Sequence, residues 1–164
     1  MKDRYWFTMI DKKYTIYYLS KYFEESVKIN RVIKIIGAVA SCSSIAAWTI
    51  WKEYAFVWGA IIALSQVISA INEFLPYQRR VEDISNLKTE FEKLYLEYEE
   101  KWYPISKGLM PDEEINNYLF ELENKWHDID SKYFTDDILS HNSKCEKFAQ
   151  NQTDNYFKDK FGSC

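Results

Sequence analysis

The sequence predicts an all-α protein: a two-helix transmembrane hairpin, with an N-terminal helix before it and a C-terminal cytoplasmic helical module after it. Three observations lead there. Only four glycines and three prolines punctuate 164 residues, too few for a turn-rich β-sandwich. Two long runs, Ile35–Trp51 and Tyr54–Asn72, carry no charge, separated only by Lys52 and Glu53. On either side of them apolar residues recur every three or four positions, the helical period. The expected divisions are 1–34 for the aromatic-rich N-terminal helix, 35–75 for the hairpin and 76–164 for the helical module.

The chain opens on Tyr5, Trp6 and Phe7, an aromatic cluster expected to pack on the first helix or on a membrane surface. Tyr14 to Asn30 reads as a helix with Ile16, Leu19, Phe23 and Val27 on one face. No signal peptide is expected, because the first apolar run begins about thirty residues in, after a polar and aromatic segment.

The two uncharged runs would span roughly 26 and 29 Å as helices, against a bilayer core of about 30 Å. The short connection makes them antiparallel neighbours. Lys28, Arg31 and Lys34 precede the hairpin, Arg79 and Arg80 follow it, and the tip offers only Lys52 opposed by Glu53. The positive-inside rule then places both termini in the cytoplasm and the tip outside. Trp48, Trp51, Tyr54 and Trp58 gather at the tip, and Phe74 and Tyr77 at the other end, where ring side chains favour the interface. A soluble helical oligomer would have to hide both runs on all faces, whereas a soluble amphipathic helix shows polar residues at every turn.

Inside the hairpin, Gly37, Ala40, Ser41, Ser44 and Ala47 recur at helical spacings in the first run. Gly59, Ala63, Ser65, Gln66 and Ser69 do so in the second. Small residues let helices approach closely in lipid. One reading docks the two helices of a single hairpin through them. The other turns Ser41, Ser44, Gln66 and Ser69 toward a polar seam between subunits, with Gln66 central because an amide in hydrocarbon needs a partner or water.

Pro76 should kink or end the second run. A long helix follows from about Gln78 to Tyr103, with Ile84, Leu87, Phe91, Leu94, Tyr98 and Trp102 in a heptad-like seam that pairs either within the chain or between subunits. Pro104 and Gly108 interrupt it. Pro111-Asp112-Glu113-Glu114 starts the next helix, with acids where the dipole favours them. Ile115, Tyr118, Leu119, Leu122, Trp126 and Ile129 mark its apolar face to about Asp130, and it should fold back antiparallel on the preceding helix. From Tyr133 the pattern supports one or two short helices through Ile138, Leu139, Cys145, Phe148, Tyr156, Phe157 and Phe161.

A net charge of -4 disfavours a nucleic-acid-binding surface. Cys42, Cys145 and Cys164 are scattered and odd in number, against a disulfide scaffold or structural zinc. Cys42 reads as a small filler of the membrane run. There is no phosphate loop, GxSxG elbow or HExxH. His127, Asp128 and Asp130 read as a solvated helix end rather than a metal or acid–base group, and Asp136 and Asp137 as a turn or helix start. Asn151-Gln152-Thr153 fits the glycosylation pattern, but the expected topology places it in the cytoplasm. The expectation is a protein that is not an enzyme and has no cofactor, metal or direct nucleic-acid partner.

The polar leading helix, the hairpin RVIKIIGAVASCSSIAAWTIW–KE–YAFVWGAIIALSQVISAINEFLPY and the long helix from Gln78 resemble the SLATT group of small bacterial two-transmembrane proteins, over roughly Ile10 to Trp102. The resemblance implies a part in nucleotide-signalled or retron-like antiviral systems, as an effector that assembles and breaches the inner membrane when a sensor fires. Its partners would be membrane lipid, further copies of itself, and a sensor protein or nucleotide as trigger. The alternative is a non-enzymatic membrane anchor or scaffold that recruits a cytoplasmic partner.

Overall fold

The computed structural model describes residues 1–50, 77–133 and 141–162, together with Phe56, Gly59, Ala60, Ala63, Gln66 and Val67; of 39–50 and 77–80 it describes the backbone alone. All regular structure among these residues is helical: α1 Lys2–Ile50, α2 Tyr77–Ser106, α3 Asp112–Tyr133 and α4 Ser143–Phe161. The chain divides into two compact units, Met1–Phe23 with Asp83–Cys164, and Glu24–Glu82.

The leading helix begins at Lys2 rather than Tyr14, and the run from Ile35 continues it without a break. No proline or glycine stands between Lys2 and Ile36, and the lone Gly37 costs only about 1 kcal/mol relative to alanine.

In the first unit the start of α1 runs antiparallel to α2. Lys2 Nζ donates to the Ser106 carbonyl at 2.9 Å, and Tyr5 Oη donates to the Tyr98 carbonyl at 3.0 Å. α3 folds back on α2, as its sequence suggests, with Lys125 Nζ 2.9 Å from Glu97 and Lys132 Nζ 2.7 Å from Glu90. It therefore runs parallel to α1, where Lys12 Nζ meets Glu123 at 3.1 Å. α4 returns antiparallel to α1: Lys21 lies over the Phe148 ring near the start of α4, and Trp6 meets Phe157 and Phe161 near its end. The order is up-down-up-down, the simplest bundle connectivity.

The heptad-like seam of α2 closes within the chain. Ile84, Leu87, Phe91, Leu94 and Tyr98 are buried, and Trp102 packs partly buried against the same core. Tyr5, Met9, Ile16 and Leu19 of α1 fill the facing side, so the leading aromatic cluster divides: Tyr5 and Trp6 join the core and Phe7 stays exposed. From α3 come Ile115, Leu119, Leu122 and Trp126. Burying each such side chain contributes about 1.5–3 kcal/mol. The inner stripe of α4 is different, being Cys145, Ala149, Thr153 and Phe157, with one large apolar residue.

Pro104 does not end α2, which continues to Ser106. The ring removes one backbone donor near the helix end, while Ile105 buries its side chain in the core. The stop is a Schellman turn at Gly108, φ 69°. Gly108 N–H donates to the Ile105 carbonyl at 3.1 Å and Leu109 N–H to the Pro104 carbonyl at 3.0 Å. α4 starts on Asn142, whose side chain accepts from the Lys144 and Cys145 amides.

In the second unit, α1 carries the ion pairs of Lys28 with Glu24 and Glu25. Among its described residues no apolar side chain is buried.

Candidate functional site

The second unit presents apolar side chains outward where a water-facing helix would present charge. Ile29, Val32, Ile35 and Ile36 are exposed on α1, and Phe56 and Val67 are exposed at helical positions further on, Phe56 at 89%. Exposed apolar residues are ordinary when scattered, but a unit with none of its described apolar residues fully buried is not. Among the described residues no helix is long and apolar enough to cross a membrane. That set leaves out the side chains of 39–50 and most of 51–76.

Of the four seam residues, Ser41 and Ser44 lie in the backbone of α1, Gln66 is helical and exposed, and Ser69 lies outside the described residues. Gly59, Ala63 and Gln66 follow one another at spacings of four and three, and all three are exposed. A Cβ built on Gly59 would meet nothing within 4 Å. This small-residue face is therefore open at Gly59.

The first unit holds a polar cluster that sequence reasoning missed, where α1, α2 and α4 meet. The ammonium of Lys13 lies 4.3 Å from the centroid of Tyr95, 4.0 Å from Tyr156 and 5.5 Å from Tyr17. Each ring face attracts a cation. Burial lowers the Lys13 pKa, partly offset by the nearby Glu99 carboxylate. Glu99 in turn accepts from Tyr156 Oη and Lys160 Nζ. Burial, helped by the bond to Glu99, pushes the Tyr156 phenol up to about 12. Burial alone would lower Lys160, but its bonds to Glu99 and Tyr156 outweigh this and raise it. Beside these groups, Tyr95 Oη and Thr153 Oγ1 are buried with no hydrogen-bond partner. The sequence signal was weak: Lys13, Glu99 and Lys160 are widely separated, and each reads locally as a solvated charge.

The remaining chemistry-bearing residues do not converge. His127, Asp128 and Asp130 are exposed on α3, Cys145 is buried on α4, and Asn151 is exposed on the same helix. Cys42's side chain, Asp136, Asp137 and Cys164 lie outside the described residues. Among the described residues no group of His, Cys, Asp or Glu is placed to hold a metal ion. The chain matches no protein-family model, no curated protein and no solved structure.

Proposed function

We propose that the chain is a membrane-embedded effector, in which Ile35–Asn72 forms a two-helix hairpin in the bacterial inner membrane and the helices around it form a cytoplasmic module. The observation that carries this reading is the uncovered apolar surface of the Glu24–Glu82 unit, with Val32, Ile35, Phe56 and Val67 each at least half exposed. Lipid is the surrounding that removes the cost of such a surface without a protein partner on every side. In the proposed action several copies assemble and permeabilise or depolarise the membrane in antiphage defence, as the resemblance to the SLATT group suggests. The exposed Gln66 supports assembly, because an amide in hydrocarbon gains from a partner on a neighbouring helix. A trigger, whether a sensor protein or a nucleotide, must bind the closed and assembled states with different affinity.

Induced expression with a membrane-potential dye tests this reading. Depolarisation with growth arrest is expected, and Gln66→Leu should insert normally but depolarise less. Unimpaired growth and an unchanged potential, with or without phage challenge, would overturn it. The second reading, a membrane anchor or scaffold, is favoured by the first unit, which closes a core of its own around Tyr5, Phe91, Tyr98 and Trp126. Under that reading the potential stays unchanged while the chain remains in the membrane.

A further inference from the structure

In the first unit, the grip on α4 differs in kind from the grip on α3. α3 inserts Ile115, Leu119, Leu122 and Trp126 into the core, whereas the buried positions of α4 are Cys145, Ala149, Thr153 and Phe157, with Tyr156 and Phe161 packed partly buried beside them. Small side chains permit close approach but bury little apolar surface. Two hydroxyls in this part of the unit, Tyr95 Oη and Thr153 Oγ1, have no partner while closed and gain water when α4 lifts. Opposing that release are the charged contacts: Glu99 with Tyr156 and Lys160, and Lys13 between the Tyr95 and Tyr156 rings. Near its end, Phe157 and Phe161 of α4 stand edge-on to Trp6, which also packs 4.7 Å from Trp102.

We propose that α4 is a releasable strap, opening as one unit from the groove between α1 and α2 while those helices and α3 stay packed, with the Lys13–Glu99–Tyr156–Lys160 cluster as its latch. Cooperative opening of one helix below the global unfolding limit is a common property of bundles with unequal interfaces. Release uncovers the faces of Trp6, Tyr17 and Tyr95 that pack on α4, with the Lys13 ammonium beside Tyr17 and Tyr95. The device does not depend on the membrane reading, since every group in it belongs to the first unit.

Hydrogen exchange of the full chain in detergent micelles, followed by mass spectrometry, tests the strap. Amides of α4 should exchange together and at least about ten-fold faster than the slowest amides of α2 and α3. Glu99→Gln, which weakens the latch, should speed α4 exchange by about ten-fold and leave those slowest amides unchanged. Thr153→Val, which removes an unpartnered hydroxyl, should slow α4 exchange. Protection of α4 equal to that of α2 and α3 would overturn the proposal, as would substitutions that shift all three helices alike. Should Glu99→Gln fail to fold, the wild-type pattern and Thr153→Val decide by themselves.

Discussion

The indole of Trp126 on α3 lies flat on the ring of Phe91 on α2, with centroids 3.6 Å apart and planes 9° from parallel. Lys12 of α1 sits over the same indole, 4.6 Å from its centroid. One side chain thus ties three helices together. Truncating it removes both contacts and leaves a cavity beside Phe91. Trp126→Ala should lower stability by about 3–5 kcal/mol, measured by chemical denaturation with helicity as the signal.

Two buried tyrosines on the same core make an internal control. Tyr5 Oη donates to the Tyr98 carbonyl at 3.0 Å, whereas Tyr95 Oη has no partner. Tyr5→Phe should therefore cost about 0.5–1.5 kcal/mol, while Tyr95→Phe should be neutral or stabilising. The comparison of denaturation midpoints checks it, and equal losses in both variants would contradict the assignment.

Glu90 accepts hydrogen bonds from Lys132 Nζ at 2.7 Å and Tyr133 Oη at 2.6 Å, and these bonds hold its carboxyl below the ordinary value. A carboxyl held below its unfolded-state value stabilises the fold above that value and loses the contribution as pH falls through the folded-state one. The stability of the wild type, followed by thermal denaturation, should thus fall in the acid window below the ordinary glutamate value of about 4.3. Glu90→Gln, less stable at neutral pH, should show a shallower decline across that window.

Much of this was legible before the structure. The spacing of Ile84, Leu87, Phe91, Leu94 and Tyr98 marked the buried face of α2 because three-and-four spacing is a direct imprint of a helix on a core. Pro111 followed by three acids marked the start of α3 within one residue. Pro104 misled, since a proline near a helix end costs little when its neighbour Ile105 is drawn into the core. α4 was blurred because its inner stripe runs through Cys145, Ala149 and Thr153, which carry almost no hydropathic signal. Of the seam residues, Gln66 was placed on an exposed helical position, but the polar cluster around Lys13 was invisible. Its members are drawn from three helices, and only tertiary packing brings them together.

Alkaline carbonate extraction of membranes from cells expressing the full chain tests the central claim, that lipid surrounds the two uncharged runs Ile35–Trp51 and Tyr54–Asn72. A spanning hairpin keeps its apolar side chains in hydrocarbon whatever the pH, so the chain should remain in the sedimented membranes and leave them only with detergent. Recovery in the carbonate supernatant would contradict the account.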